Sequence, residues 1–178
     1  MAMPTYAQAQ EFQQKYVTSD YLKHHSDMVE TAMRAVAKYL GEDEEKFAIL
    51  GLIHDWDFDN WPEEHPGRYA QLQAELSVDD GIIDAIKGHG DIEYPRTTKL
   101  AQALLALDEL SGLLYAYMKM VGNYHDMKVS SINKKLTKEL NFAAKIDRKY
   151  VLKGIEELGI PQDKLLEIVR DAFAAKYD

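Results

Sequence analysis

The sequence contains no cysteine and only five prolines and ten glycines among 178 residues. Without cysteine the chain cannot form disulfides, thiolate zinc sites or iron–sulfur clusters, so histidine and carboxylate groups must bind any metal ion. The low glycine and proline content excludes collagen-like and low-complexity chains. The chain also lacks an apolar run of about 20 residues and a signal-peptide pattern at its start. We therefore expect a folded, soluble cytoplasmic protein with no membrane partner.

Positive charge is also scarce. The chain has 21 lysines and arginines against 30 aspartates and glutamates, which gives a formal net charge of −9. This is the wrong sign for a protein whose main partner is a nucleic acid or an anionic membrane. A small-molecule ligand is the better expectation, and the sequence carries no indication of an oligomeric state.

Residues that favour strands are few, with eight valines and six threonines against 19 leucines and 19 alanines. This bias predicts an all-α protein, which we interpret as one domain spanning residues 1–178. Apolar residues recur at helical spacing between plausible caps. The predicted helices span residues 5–17, 20–40, 44–55, 68–76, 79–89 and 98–120, with two or three more between 130 and 176.

Ionisable side chains interrupt the apolar face of four predicted helices: His25, His54 with Asp55, His89, and Asp108. An unpaired charge in a protein core is unfavourable by several kcal/mol, so such groups find partners or bind a cation. Taken singly, each histidine is more often a core imidazole bonded to a carbonyl. A divalent cation would satisfy all of these groups together.

These residues resemble those of a known family. His25 in HSDMV, His54 and Asp55 in LIHD, His89 in KGHG and Asp108 in ALLALD are similar in order and spacing to the HD-domain metal-dependent phosphohydrolase superfamily. The resemblance covers about residues 20–120. It continues toward the HDIG-type group of predicted bacterial hydrolases through SINKKL at 131–136, FA at 142–143, and Arg148. It implies an all-α HD-domain helical bundle with a helical C-terminal extension at about 128–178.

The resemblance also implies the metal ligands, which are His25, His54, Asp55 and Asp108. His24 competes with His25, but the helical stripe and the following serine both favour His25. His65 and His89 match positions that hold a second ion in dinuclear members of the superfamily. The alternatives are a solvated loop side chain for His65 and a helix C-terminal imidazole for His89. The mixed nitrogen and oxygen donors suit one or two ions of iron, manganese, nickel or zinc.

A phosphohydrolase of this type activates water at its metal to cleave a phosphate ester of a small metabolite or nucleotide. In this interpretation His54 and Asp55 are catalytic, and Glu63 or Glu64 is either a general base or a solvated loop acid. One rival is a di-iron oxygenase, because the six-ligand pattern also resembles myo-inositol oxygenase. Another is a protein that senses a phosphorylated ligand without catalysis.

The C-terminal part of the chain carries a local excess of positive charge. Residues 128–153 contain seven lysines and Arg148 against Glu139 and Asp147. If this segment covers the metal cleft, then Lys134, Lys135 and Arg148 are candidates for binding the substrate phosphate. The alternative is a solvated helix face rich in lysine.

Overall fold

The computed structural model describes residues 3–178, and within this range the chain is helical and contains no strand. This confirms the predicted all-α fold class, and three helices follow residue 128. The helices are α1 (Tyr6–Tyr16), α2 (Asp20–Leu40), α3 (Glu44–Ile53), α4 (Tyr69–Leu76), α5 (Asp80–Gly90), α6 (Lys99–Val121), α7 (Val129–Thr137), α8 (Arg148–Leu158) and α9 (Gln162–Tyr177).

Helix α2 begins and ends where the sequence predicts, because both of its caps are clear. The Ser19 side chain accepts a hydrogen bond from the Leu22 amide, and Gly41 ends the helix in the left-handed conformation with a φ of 72°. Helix α3 ends two residues earlier than predicted. Its last residue is Ile53, and His54 and Asp55 lie in the turn that follows.

Helices α2, α3 and α6 form the centre of the molecule. Helix α2 packs against α3, α6 and α9, while α6 also packs against α5 and α8. The side chains between them form one continuous hydrophobic core in which Met33, Leu50, Leu104 and Phe173 are fully enclosed. The fold therefore holds α2, α3, α5 and α6 together, and these are the helices that carry the ionisable groups.

The helices after residue 128 share this core. Helix α8 packs along α6 and α9 packs along α2, so Val169 and Phe173 of α9 are as buried as the residues of α2 they adjoin. Among residues 3–178, every helix is either too short or too polar to cross a bilayer.

Candidate metal centre

The first group of donor atoms comes from helices α2 and α6 and from the turn after α3. One ligand atom from each of His25, His54, Asp55 and Asp108 lies within 4.8 Å of the others. His25 Nε2 is 2.9 Å from Asp108 Oδ1, and His54 Nε2 is 3.5 Å from the same oxygen. These distances would allow one metal ion to contact all four groups.

A second group of donors, Asp55, His65 and His89, adjoins the first. Asp55 belongs to both groups, and its two carboxylate oxygens are divided between them. Oδ1 lies 3.2 Å from His65 Nε2 and 3.3 Å from His89 Nε2. Oδ2 lies 3.3 Å from His54 Nε2 and 3.7 Å from His25 Nε2. The structure thus brings together all six residues that the sequence singled out as metal ligands.

Three of the four imidazoles are held in one orientation by their other ring nitrogen. The Nδ1–H of His54 donates to the Gly51 carbonyl at 2.8 Å, and that of His89 donates to the Ile86 carbonyl at 2.6 Å. The Nδ1–H of His65 donates to Asp57 Oδ1 at 2.6 Å. With Nδ1 bonded in this way, each ring directs its Nε2 into the cluster, and loss of the Nε2 proton would give the neutral form that binds a metal ion.

Asp57 is the orienting residue that the sequence did not reveal as functional. Its side chain is 2 % exposed, and its second oxygen accepts hydrogen bonds from the amides of Gly67 and Arg68. Burial acts to raise the pKa of Asp57, but hydrogen bonds from His65 and these amides outweigh it and hold the pKa below the usual range. In the sequence, Asp57 replaces the glycine of the HDIG pattern, and this departure was the one feature that could have drawn attention to it.

The loop that carries His65 and Pro66 packs closely on helix α5, and this packing places His65 beside His89. A Cβ atom at Gly90 would lie 2.5 Å from Pro66 Cγ, which is nearer than any real side chain approaches. Because Gly90 has no side chain, Pro66 can rest on the end of α5. The ring centroids of His65 and His89 are then 5.4 Å apart.

Electrostatics within the cluster favour charged groups despite their burial. Burial acts to raise the pKa of Asp55 and Asp108, yet the neighbouring imidazoles lower the pKa of both well below the usual value. Burial acts to lower the pKa of His65, but Asp55 and Asp57 raise it to about 9. The carboxylates are therefore ionised at neutral pH, as metal ligands must be.

Within this network of histidine–aspartate pairs, one ring nitrogen lacks a well-formed hydrogen bond. His54 is fully buried, and its Nε2 has no hydrogen-bond partner among the described residues. A buried polar atom without a partner is costly, and here it faces carboxylate oxygens of Asp55 and Asp108. A cation between them would satisfy it, so the residues fit a metal ion.

The cluster forms the floor of a cavity of about 470 Å³, which we call the cleft. No lysine or arginine is among the described residues that line it. Two further carboxyl groups, Glu109 and Asp147, do line it. Burial and the charge of Asp108 raise the pKa of Glu109 to about 7. Neither acid stands out in the sequence as a functional residue. Glu109 follows a predicted ligand directly, whereas only the folded chain shows where Asp147 lies.

The structure does not bring Glu64 to the cleft. Its side chain is exposed and pairs with Arg68 Nη1 at 2.9 Å, and Glu63 is exposed as well. Neither residue lines the cavity. This geometry favours the alternative of a solvated loop acid and gives no support to Glu64 as a general base.

Lys134, Lys135 and Arg148 do not line the cleft, so the geometry gives no support to their predicted role in binding the substrate phosphate. Lys134 and Lys135 pair with Glu139, each at 2.9 Å. Arg148 is buried, and its guanidinium donates to main-chain carbonyls at the end of α7 and in the following loop, including those of Lys135 and Ile146. These cations stabilise the segment before α8. The chain does reach the cleft near this point, through Asp147 just before α8 and Tyr150 in the first turn of α8.

The competition between His24 and His25 is resolved by position. His25 reaches the donor cluster, while the His24 ring packs against Tyr115 and Tyr177 on another side of α2. The aromatic residues that follow Asp55 are likewise divided between the protein core and the edge of the cleft. Trp56 is buried against Phe12, whereas Phe58 is 46 % exposed at the edge of the cleft.

No family model, no curated protein and no solved structure matches this chain. A proposal for its function therefore depends on the geometry of the metal centre together with the resemblance of the residues that form it.

Proposed function

We propose that this protein is a metal-dependent phosphohydrolase with a dinuclear centre. The observation that carries the proposal is the division of the Asp55 carboxylate between two groups of donors, with Oδ2 toward His25 and His54 and Oδ1 toward His65 and His89. A carboxylate placed in this way is suited to bridge two ions, an arrangement common in phosphatases and nucleases. The resemblance to HD-domain phosphohydrolases supports the same conclusion.

The chain supplies nitrogen and oxygen donors only. His25, His54, Asp55 and Asp108 would hold one ion, and Asp55, His65 and His89 would hold the other. Four imidazoles with two carboxylates suit iron, manganese, nickel or zinc better than calcium, which prefers oxygen alone. The bound ions would supply Lewis acidity that acidifies water and neutralises charge on the phosphate oxygens.

The reaction that we propose is hydrolysis of a phosphate monoester. A bond forms between a water oxygen and phosphorus, the ester P–O bond breaks, and the products are inorganic phosphate and an alcohol that gains a proton. His54 and His89, fixed through their Nδ1 atoms, hold the reacting region rigid. Glu109 and Asp147 line the cleft, and they are the protein carboxylates outside the donor groups that face the substrate and can accept a proton from water.

The charges around the cleft favour a substrate with a single phosphate group. The described residues that line it include acids but no lysine or arginine. A triphosphate would leave charge that neither the ions nor the side chains neutralise, and Glu109 and Asp147 would repel it. We propose a phosphomonoester of a small cytoplasmic metabolite or of a nucleoside as the substrate.

The first experiment measures metal content and two reactions on the same preparation. We expect close to two equivalents of a transition metal by elemental analysis, release of inorganic phosphate from monoesters, and no oxygen consumption. Oxygen consumption with two irons and no phosphate release would instead indicate the di-iron oxygenase. Tight binding of a phosphorylated compound without turnover would indicate a sensor.

Matched histidine variants test whether the activity belongs to this centre. His54→Gln removes a buried donor, and we expect phosphate release to fall by at least about a hundredfold, since removal of a group essential to a centre of this kind costs several kcal/mol of transition-state stabilisation. His125→Gln alters an exposed histidine outside both donor groups and should keep full activity. Equal activity in the two variants would contradict the proposal.

A further inference from the structure

A second cavity of about 320 Å³ lies next to the cleft and shares two residues with it, Tyr21 and His25. The Tyr21 and His25 rings are nearly parallel, with an interplanar angle of 8° and centroids 6.3 Å apart. His25 also contacts Asp108 of the metal centre at 2.9 Å. The same pair of side chains therefore borders both spaces, and a ligand that extends past Tyr21 and His25 would reach from one space into the other.

The second cavity differs from the cleft in its chemistry. Its walls come from α2, from the second half of α6 and from the turn at 143–146, and they are mainly apolar, including Met28, Tyr115 and Ile146. None of the acids that line the cleft extends into it. An apolar chamber beside a polar reaction site is the usual design of a pocket that recognises the non-reacting part of a substrate.

Small side chains keep this cavity open. Gly112 and Ala116 lie one turn apart on the same face of α6, and Ala143 and Ala144 face them from the turn before α8. A Cβ atom at Gly112 would already lie 2.9 Å from Ile146 Cδ1. Larger residues at these positions would fill the space that the chain leaves free.

Two lysines border the cavity and limit what can enter. Lys119 Nζ lies 4.4 Å from the centroid of the Tyr115 ring, and Lys145 is exposed. Two cations at this border disfavour a ligand with a positively charged group. A neutral or electron-rich apolar group meets no such penalty, and an aromatic ring can stack on the exposed faces.

We propose that the second cavity binds an apolar group of about the size of an aromatic ring, carried by the same substrate whose phosphate is bound at the metal centre. The inference rests on the proposed phosphohydrolase function and specifies its substrate class as aryl or similarly apolar phosphomonoesters. A cavity of 150 Å³ holds benzene in another protein, so the volume here is sufficient for one ring or two fused rings. Tyr21, which is 71 % exposed, would form the surface over which the ligand passes.

Binding of phosphonates that cannot be hydrolysed tests the inference without relying on turnover. The probes are benzylphosphonate and methylphosphonate, which share the head group and differ in the apolar part, titrated into the metal-loaded protein by calorimetry. We expect benzylphosphonate to bind at least about tenfold more tightly, because burial of a phenyl ring is favourable. Equal affinities would overturn the inference and leave the phosphohydrolase proposal standing.

Cavity-filling variants test whether the tighter binding of benzylphosphonate depends on the second cavity. Ala116→Leu should reduce the ratio of the two affinities to about one, because the new side chain occupies the cavity from a helix position where leucine is well tolerated. Ala144→Leu, in an exposed turn, provides a second variant if the first folds poorly. Ala175→Leu, on the exposed face of α9, is the matched control and should keep the wild-type ratio. A ratio unchanged in both cavity variants would overturn the inference.

A neutral probe distinguishes failure of the inference from failure of the proposed function. We expect 2-naphthol, which lacks a phosphonate, to give saturation-transfer NMR signals that Ala116→Leu abolishes and Ala175→Leu retains. If these signals are seen while neither phosphonate binds, the phosphohydrolase proposal fails and the apolar site stands. If the signals are absent or insensitive to Ala116→Leu, the inference fails.

Discussion

At the scale of single residues, the centre depends on side chains that do not themselves face the cleft. Asp57 is buried, contacts His65 Nδ1 at 2.6 Å, and also accepts from the main chain of the loop that follows. It therefore fixes both the tautomer of one donor and the path of the loop that carries it. Orienting partners of this kind contribute much of the affinity of a metal site.

Replacement of this carboxylate tests its orienting role. We expect Asp57→Asn to weaken binding of the second ion by about 10- to 100-fold, because an amide no longer stabilises the His65 ring as a carboxylate does. The measurement is a competition titration with a chromophoric chelator. Asp59→Asn is the control, since Asp59 anchors the segment before α2 by accepting hydrogen bonds from the amides of Thr18 and Ser19. That variant should lose stability without a change in metal affinity, and a similar affinity loss in both variants would refute the assignment.

The apolar helical stripes single out His25, His54 with Asp55, His89 and Asp108 in the sequence. His65 follows only from the family resemblance, and the residues around these six were not predicted. His25 and Asp108 stand out because an ionisable group in an apolar helical stripe needs an explanation, and that signal is local in the sequence. The positions of Glu64 and Arg148 could not be predicted, because they depend on how two irregular segments fold. Glu64 turns outward to Arg68, and Arg148 turns inward to main-chain carbonyls. No periodicity in the sequence encodes either direction.

At the scale of helices, the close packing of α8 on α6 supports one side of the cleft. A Cβ atom at Gly154 would lie 2.4 Å from the Ala106 main-chain nitrogen and 2.6 Å from its Cα, so the two helix backbones nearly touch. Asp147 and Tyr150 reach the cleft at and just after the start of α8. The position of these residues thus depends on a helix contact that has no room for a side chain.

A pair of glycine-to-alanine variants measures how much the contact between α6 and α8 contributes to stability. We expect Gly154→Ala to reduce the free energy of unfolding by about 1–3 kcal/mol or more, since main-chain atoms of α6 must move. Gly112→Ala, also in a helix, meets only the flexible end of Ile146 and should be neutral or gain up to about 1 kcal/mol from helix propensity. Urea denaturation gives both values. Similar losses in the two variants would show that backbone contact is not the cause.

The observed helix boundaries agree with those predicted from the sequence where a capping residue is present. Ser19 and Gly41 bound α2 as expected, because both act through local hydrogen bonds or backbone conformation. Helix α3 ends early for a reason that lies outside its own pattern. At its end the His54 ring bonds back to the Gly51 carbonyl, and Asp55 leaves the helix toward donors from α2, α5 and the loop. Tertiary contacts, rather than propensity, therefore determine this end.

At the scale of the whole molecule, the cluster of candidate metal ligands connects parts of the chain that are distant in sequence. His25 and Asp108 are 83 residues apart, and their contact joins α2 to α6, while Asp55 and His89 join the end of α3 to α5. An ion bound by these groups in the native state has no equivalent site in the unfolded chain. Metal binding should therefore stabilise the entire fold, in addition to any role in catalysis.

This coupling predicts a rise in the unfolding temperature on metal binding. At a free metal concentration of one hundred times Kd the native state gains about 2.7 kcal/mol. For a domain of this size that corresponds to roughly 5–11 °C, which calorimetry of the protein with and without a chelator measures. Asp55→Asn alters the carboxylate common to both donor groups and should remove the shift, whereas His54→Gln leaves Asp55, His65 and His89 in place and should only reduce it. His125→Gln should retain the full shift. A full shift retained in Asp55→Asn would mean that the stabilising ion binds elsewhere, because neither donor group would then keep its shared carboxylate.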